Sequence, residues 1–333
     1  MRKRVLLPSP LIHPSGESIL EDEVDVLRAA ELGPDGVAEV LPTVHGIYNR
    51  ADAATIAAAK SLEVAASGGS GVDFIDIAAA TEHGVLVVNA TGAQNVSVAE
   101  HAVGLLLALV KRIAISDRLL RSGAFPDRSE YRGDGWPLGF PRELHGRTLG
   151  VLGYGAIGRE MARVCDAAFS MPVVAYDPFV DPATATGPAE LVGSLDELLA
   201  RAQVLSMHLP LSDETRGIIG AEQLARLPEG AYLLNMSRGG TVDEPALIEA
   251  LRSRRLAGAG LDVFTEEPLA VDSPLRSLDN VVLTPHIGGW TAEALPRLSQ
   301  TTALEILTAL RGDRPQRLVN PDAWPAFQAR RQA

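Results

Sequence analysis

Short apolar runs alternate with longer amphipathic stretches along most of the chain, an order typical of α/β proteins with parallel sheets. The early predicted strands are Arg4–Leu7, Leu62–Ala66 and Val85–Asn89, with helices expected over Glu21–Glu31 and Ala53–Lys60. The later predicted strands are more regular and comprise Leu149–Leu152, Val173–Tyr176, Val204–Met207, Tyr232–Leu234, Ala259–Leu261 and Val281–Leu283. The pattern therefore predicts two parallel sheets.

Capping signals indicate where several helices begin. Ser97 is followed three positions later by Glu100, a pair that can satisfy free N–H groups at a helix start, and an apolar stretch follows it. The same spacing recurs after Ser194 and Thr241. We therefore expect helices to begin at these three positions, the first of them reaching about Leu120.

The end of the chain predicts how the two sheets are distributed between domains. A last helix is expected from Thr291 to Arg311, stopped by Gly312. Such a helix is long enough to return to the first sheet, so we predict one domain from residues 1–97 plus 291–333 and an inserted one from residues 98–290. The segment Arg121–Leu144, rich in Gly, Pro and charge, is predicted to be a surface arm.

Composition narrows the functional classes. The 333 residues are 46% hydrophobic, and a formal charge of −12 disfavours nucleic acid and anionic lipid as partners. The longest apolar run, Ala102–Val110, is too short to span a bilayer, so no membrane partner is expected. A single cysteine, Cys165, and no signal-peptide core favour a cytoplasmic location. No His or Cys constellation predicts a metal site.

A glycine motif lies between a predicted strand and a predicted helix. The motif reads Gly153-Tyr154-Gly155-Ala156-Ile157-Gly158. In that context the glycines allow a tight turn, close approach of a pyrophosphate and helix packing, while the helix start offers N–H groups to the anion. Asp177 stands 19 residues after Gly158, at the end of the next strand, where an acid binds ribose hydroxyls. No basic residue follows it in Pro178-Phe179-Val180, so the motif predicts NAD rather than NADP as cofactor.

Polar residues follow the last predicted strands, at the edge where α/β sheets bind ligands. They are Arg238, Asp262, Glu267 and His286. Taken singly, each has an ordinary explanation as a solvated, acidic-loop or packed residue. Together, their chemistry fits hydride transfer between NAD and an alcohol beside a carboxylate. An arginine fork binds a carboxylate, and an imidazole paired with a carboxylate can give or take the proton.

These residues resemble the D-isomer-specific 2-hydroxyacid dehydrogenase family, phosphoglycerate dehydrogenases included, over about Leu62 to Asn320. The motifs that carry the resemblance are Gly68-Gly69-Ser70-Gly71-Val72-Asp73, Val98-Ala99-Glu100-His101, the glycine motif, His208-Leu209-Pro210-Leu211, Asn235-Met236-Ser237-Arg238-Gly239-Gly240, Leu261-Asp262-Val263-Phe264 through Glu267-Pro268, and Thr284-Pro285-His286-Ile287-Gly288-Gly289. The resemblance implies a Rossmann-type doubly wound parallel-sheet domain inserted in a flavodoxin-like α/β substrate domain.

The resemblance also implies residue roles. Arg238, Glu267 and His286 become the catalytic set, with Arg238 also binding substrate. Further substrate contacts are implied at Ser70, Gly71 and Asn95. Cofactor contacts are implied at Val98, Gly153, Tyr154, Gly155, Ala156, Ile157, Gly158, Asp177, His208, Leu209, Pro210, Thr215, Met236, Ser237, Asp262, His286 and Gly288. Asp262 is expected to hold the nicotinamide carboxamide.

Family members that resemble this chain form homodimers and interconvert small 2-keto and D-2-hydroxy acids, which the resemblance implies here. Formate dehydrogenases carry Gln where Glu267 stands, so formate is disfavoured as substrate. A non-enzymatic alternative stays open, because the C-terminal-binding-protein corepressors resemble the same fold and keep the same three polar residues. Such a scaffold would sense NAD and bind peptides instead of turning over a keto acid.

Overall fold

The computed structural model describes residues 2–123 and 140–332. Most of the arm predicted over Arg121–Leu144 falls outside the described residues. The chain divides into two compact units, Met1–Gln94 with Trp290–Ala333, and Asn95–Gly289. Helices and strands are numbered along the chain.

The first unit is built on a five-stranded parallel sheet in the order β2-β1-β3-β4-β5. This strand order is the flavodoxin-like one. The strands are β1 Arg4–Leu7, β2 Asp25–Arg28, β3 Gly46–Tyr48, β4 Val64–Ala66 and β5 Leu86–Val88.

Helices from both ends of the chain cover this sheet. They are α1 Pro14–Glu23, α2 Ala29–Val40, α3 Ala53–Ala58, α4 Ile77–Glu82, α11 Ala294–Arg311 and α12 Trp324–Gln332. Ile306 of α11 and Phe327 of α12 are buried in one apolar cluster with Val5 and Val64 from the strands. Each such side chain contributes about 1.5–3 kcal/mol by burial, so the returning segment completes this core.

Ion pairs also attach the C-terminal segment to the first sheet. Glu63, directly before β4, is buried and pairs with Lys3 at the start of β1 and with Arg331 of α12. A buried carboxylate left without partners is strongly destabilising. The C-terminal segment is therefore tied to this sheet by charge as well as by apolar packing.

The helix predicted over Glu21–Glu31 is wrong. That stretch holds the end of α1, the edge strand β2 and the start of α2. Strand β2 lies at the edge of the sheet beside β1, and its residues are exposed or half-buried. It therefore mixes polar and apolar residues and lacks the apolar run that would predict a strand. The predicted last helix begins at Ala294, three residues later than expected, and ends as expected at Gly312 in the left-handed conformation.

The second unit is built on a seven-stranded parallel sheet in the order β12-β11-β10-β9-β6-β7-β8. The strands are β6 Leu149–Leu152, β7 Val173–Tyr176, β8 Glu190–Leu191, β9 Val204–Met207, β10 Ala231–Asn235, β11 Leu256–Leu261 and β12 Val281–Leu283. Strand order reverses between β6 and β9, which makes the sheet doubly wound and marks the crevice where such folds bind dinucleotides.

Helices cover both faces of the second sheet. They are α5 Asn95–Val110, α6 Ile113–Arg121, α7 Ala156–Phe169, α8 Leu195–Arg201, α9 Ala221–Arg226 and α10 Glu244–Arg252. One apolar cluster lies under α5 and α7, and a second lies under α8, α9 and α10. Among the described residues, no helix combines the length and apolar character required to cross a membrane.

The predicted helix starts have mixed outcomes. Ser194 is the N-cap of α8 and accepts from the Glu197 amide, as expected. Ser97 is wrong as a cap because α5 begins two residues earlier, and the long helix breaks at Arg112, whose φ is +58°. Thr241 is also wrong, since the Asp243 side chain caps α10.

Candidate active site

The glycine motif forms a tight turn between β6 and α7. Gly153 has φ +91°, and a Cβ there would lie 2.7 Å from the His208 carbonyl oxygen. A Cβ on Gly158 would lie 2.3 Å from the Gly153 carbonyl oxygen, whereas one on Gly155 would meet no atom of the described residues within 4 Å. Gly155 is the N-cap of α7, so free N–H groups of the first helical turn face the open side. The turn fits a pyrophosphate.

Asp177 and Tyr154 anchor this turn. The Asp177 carboxylate accepts from the Tyr154 amide at 2.9 Å and from the Phe179 amide at 3.0 Å. The Tyr154 ring is fully buried, and its hydroxyl donates to the Thr186 carbonyl at 3.1 Å. The acid at the end of β7 is thereby held against the glycine turn, where a dinucleotide places its ribose.

The loop after β9 packs against the same turn. His208 Nε2 lies 2.8 Å from Ser206 Oγ, while its Nδ1 is buried and has no protein partner among the described residues. Burial lowers the pKa of His208 to about 4, so the ring is neutral at pH 7. Further along, Thr215 Oγ1 donates to the Pro210 carbonyl at 2.7 Å and closes the loop.

His286 and Glu267 form a hydrogen-bonded pair. His286 Nδ1 lies 2.8 Å from Glu267 Oε2, with the side chains 47% and 37% exposed. The other carboxylate oxygen accepts from the Phe264 amide at 3.1 Å. An ionised carboxylate only accepts, so His286 Nδ1 carries the hydrogen and its Nε2 is left for another partner. The pair borders a cavity of about 520 Å³ within this unit.

Asp262 holds the loop that presents His286. Its buried carboxylate accepts from the Ile287 amide at 3.0 Å, the Gly288 amide at 2.8 Å and Thr284 Oγ1 at 2.6 Å. Burial alone would raise the pKa of Asp262, but hydrogen bonds from His101, Thr284 and the two amides hold it below its ordinary value. Asp262 is therefore ionised at neutral pH.

Arg238 stands in a turn braced against the segment that leads to Glu267. Its carbonyl accepts from Asn235 Nδ2 at 3.0 Å, and its guanidinium donates to the Ser237 carbonyl at 2.7 Å. A Cβ on Gly239 would lie 1.9 Å from the Phe264 carbonyl carbon, so the two segments touch through backbone. Because β10, β11 and β12 are neighbours, their carboxyl ends place Arg238, Glu267 and His286 along one edge of the sheet.

Comparison with known proteins decides the family. Residues 103–288 match the profile described as D-isomer specific 2-hydroxyacid dehydrogenase, NAD binding domain. Hydroxypyruvate reductase of Thermotoga maritima is 39% identical over 303 residues, covering 89% of this chain and 95% of the relative. The chain belongs to the D-isomer specific 2-hydroxyacid dehydrogenase family. Its cofactor is a nicotinamide dinucleotide.

Other family members are similar over most of this chain. D-3-phosphoglycerate dehydrogenase of Archaeoglobus fulgidus is 37% identical over 93% of this chain, which spans 58% of that relative. A glyoxylate reductase from Paecilomyes thermophila has a TM-score of 0.85 at 29% identity, covering 96% of this chain and 98% of its own. An NADPH-dependent glyoxylate/hydroxypyruvate reductase from Sinorhizobium meliloti, in complex with NADP and malonate, has a TM-score of 0.83 at 27% identity, covering 97% and 98%.

The remaining residues implied by the family resemblance are distributed between the two units. Ser70 and Gly71 lie in the first unit, in a turn where Asn89 Nδ2 donates to the Ser70 carbonyl at 2.9 Å. Asn95 and Val98 lie in the first turn of α5, in the second unit. Met236 and Ser237 are buried behind Arg238. Their roles toward substrate or cofactor stay predictions.

The sequence did not single out three side chains that organise the candidate site, those of His101, Thr284 and Asn235. His101 Nε2 lies 2.9 Å from Thr284 Oγ1, and Asn235 braces the Arg238 turn. All three lie inside the motifs that carry the family resemblance, which is the signal that could have found them. What those motifs lack is any indication that His101 and Thr284, 183 residues apart, come together.

Proposed function

We propose that this protein uses NADH to reduce a 2-keto acid to a D-2-hydroxy acid, and catalyses the reverse reaction with NAD. The observation that carries the proposal is the 2.8 Å contact between His286 Nδ1 and Glu267 Oε2. An imidazole fixed in this way has one ring nitrogen free for the substrate oxygen. The names of the dehydrogenases and reductases similar to this chain support the same reaction class.

The pair provides the proton chemistry of the reaction. Bound nicotinamide supplies or accepts the hydride. When the keto group is reduced, His286 Nε2–H donates the proton to the new alkoxide oxygen, and in reverse the neutral Nε2 accepts it. Glu267 stabilises the imidazolium and keeps the ring in one orientation. Such positioned proton transfer typically contributes about 10²–10⁴-fold in rate.

Arg238 is proposed to bind the substrate anion. The planar guanidinium of Arg238 matches a carboxylate and can also polarise the carbonyl to be reduced. Among the described residues, the amides of Ser70 and Gly71 donate to no protein acceptor. Adjacent free amides form a small nest for an anion, which supports their assignment to the substrate carboxylate.

Asp177 supports NAD as the preferred cofactor. A carboxylate held at the end of β7 accepts ribose hydroxyls and repels the additional phosphate of NADP. We also propose a homodimer, as implied by the family resemblance, and a cytoplasmic location, which the single cysteine Cys165 favours. The peptide-binding scaffold has no specific observation in its favour, since the curated relatives described above are dehydrogenases and reductases.

A panel of 2-keto acids tests the proposed function. Glyoxylate, pyruvate, hydroxypyruvate, its phosphate and branched or aromatic 2-keto acids are incubated with NADH, and NADH oxidation is followed by absorbance. Turnover of at least one acid is expected. His286→Ala should lower kcat by about 10²–10⁴-fold while the Kd of NADH is retained.

The matched control is His83→Ala, which removes an exposed histidine at the end of α4 in the first unit. This variant should keep the wild-type kcat. Absence of turnover across the panel, together with tight peptide binding, would favour the scaffold. Unchanged kcat in His286→Ala would remove that residue from the chemistry.

A further inference from the structure

A chain of polar groups runs from α5 to the loop that presents His286. His101 of α5 places Nε2 at 2.9 Å from Thr284 Oγ1, and Thr284 Oγ1 lies 2.6 Å from Asp262 Oδ1. The same carboxylate accepts from the Ile287 and Gly288 amides. One aspartate therefore holds residues on both sides of His286. His101 supports that aspartate through the Thr284 hydroxyl and also directly, with His101 Nε2 3.5 Å from Asp262 Oδ1.

Counting protons fixes the direction of these bonds. A threonine hydroxyl has one hydrogen, and the ionised Asp262 carboxylate can only accept, so Thr284 donates to Asp262. Thr284 Oγ1 must then accept from His101 Nε2–H, which fixes the tautomer of a neutral His101 ring. The Thr284 hydroxyl and the Asp262 carboxylate thus each have defined partners, and a shared network of this kind rigidifies the groups that it joins.

This network bears on a strained residue. His286 has φ +54°, in the left-handed region that side chains with a Cβ rarely adopt. Its backbone is flanked by Thr284, whose side chain bonds Asp262, and by the Ile287 and Gly288 amides that bond the same carboxylate. Strain of this kind persists only where the surroundings determine the conformation. The conformation in turn directs His286 Nδ1 toward Glu267.

We propose that Thr284 and His101 are positioning residues, which hold Asp262 so that its carboxylate keeps His286 in its strained conformation opposite Glu267. The inference rests on the proposed function and adds to it a second task for Asp262, besides the expected contact with the nicotinamide carboxamide. Neither Thr284 nor His101 needs to touch the substrate. Their effect reaches the reaction through the orientation of the imidazole.

Replacing the hydroxyl tests the network with little change in shape. Thr284→Val removes the donor to Asp262, and Thr284→Ser keeps it. We expect kcat to fall about 10- to 100-fold in the valine variant, because small displacements of a catalytic group are costly. The Kd of NADH and the KM of the keto acid should stay within about twofold. The serine variant should recover kcat to within about threefold of wild type.

His101 provides an independent variant. His101→Phe keeps an aromatic ring but removes the donor, and should reproduce the kcat loss at smaller magnitude. Thr308→Val is the matched control, since it removes a hydroxyl of the first unit that donates to the Leu304 carbonyl within α11. That variant should keep wild-type kcat and KM.

Amide hydrogen exchange of Ile287 and Gly288 provides a readout that does not depend on turnover. In Thr284→Val both amides should exchange at least about fivefold faster than in wild type. If no keto acid is turned over, the proposed function fails while exchange still tests the network. Unchanged exchange in Thr284→Val would overturn the proposal. Faster exchange with unchanged kcat, or a kcat loss that serine does not restore, would also overturn it.

Discussion

Two loops at the carboxyl edge of the second sheet each contain a residue with positive φ, and an aspartate holds each loop in place. Beside β6 and β7, the glycine turn is held by Asp177, which accepts two backbone amides. Beside β11 and β12, the loop of His286 is held by Asp262, which also accepts two backbone amides. In the first region the left-handed position is a glycine, Gly153, and in the second it is His286.

This difference predicts which kind of substitution should disrupt each region. A glycine adopts a positive φ without steric cost, so the cofactor region depends on the absence of side chains at Gly153 and Gly158. His286, the proposed acid–base residue, carries a side chain at its positive φ, so its loop depends on hydrogen bonds to hold that conformation. We expect substitutions that add a side chain to disrupt the glycine turn. Substitutions that remove a hydrogen-bonding group should disrupt the loop of His286.

The largest expected effect comes from adding a methyl group to the glycine turn. In Gly158→Ala the new Cβ would lie 2.3 Å from the Gly153 carbonyl oxygen, so backbone must move. We expect the binding free energy of NADH to weaken by about 3 kcal/mol, which raises the Kd about 100-fold. The Tm should also fall, because the backbone of the turn is strained. Gly155→Ala, whose Cβ would meet no described atom within 4 Å, should keep the Tm and raise only the Kd of NADH.

Gly104→Ala is the control for helix effects, because Gly104 is exposed on α5 and a Cβ there would lie within 4 Å of no atom in the part of the chain that the structure describes. It should bind NADH as wild type does, with a slightly higher Tm. Equal NADH affinity in Gly155→Ala and wild type would contradict the placement of pyrophosphate at this turn. An unchanged Tm in Gly158→Ala would contradict the steric argument.

His208, in the loop that packs against the glycine turn, gives the next largest effect. Its pKa is about 4 in the folded protein and about 6.5 when unfolded, so its contribution to stability is complete above pH 6.5 and is lost as the pH falls toward 4. Between pH 7 and pH 5 the wild type should lose about 2 kcal/mol more than His208→Gln. Urea unfolding at both pH values measures this, and parallel pH profiles would contradict the prediction.

The smallest expected effect concerns the charge of Asp177. Replacing Asp177 by Ser and Pro178 by Arg should remove the repulsion of NADP and raise kcat/KM with NADPH, relative to NADH, about tenfold or more, equivalent to about 1.4 kcal/mol. Asp177→Asn keeps an acceptor for the Tyr154 amide and should shift the preference less. A persistent preference for NADH in the double variant would show that another residue selects the cofactor.

The central strands could be predicted from sequence because they are buried on both faces. The apolar runs at β6, β7 and β9 coincide with the observed strands. The run at the edge strand β12 also coincides, because this half-buried strand contains no polar residue. The edge strands β2 and β8 could not be predicted, since an edge strand is half-exposed and Asp25 or Glu190 breaks the apolar pattern. Strand β3 is buried but only three residues long and begins with Gly46, too short a signal to distinguish.

Some residues of the candidate site could likewise be predicted from the sequence, and others could not. Glu267 and His286 could be selected because polar residues after parallel strands collect at one edge, whatever the rest of the fold does. His101 could not, because its contact with Thr284 exists only after α5 has packed on β11 and β12. The positive φ of His286 is likewise a result of the bonds around it and leaves no mark in composition or spacing.

Because the first unit is formed from two separate segments of the chain, the two units become able to fold at different times during protein synthesis. The ribosome makes Met1–Gln94 first, yet Ile306, Phe327 and Arg331 must be translated before that core and the partners of Glu63 are present. Asn95–Gly289 is continuous and can fold while still attached to the ribosome. The nascent amino-terminal segment therefore has the longer period in which chaperones can bind its exposed apolar strands.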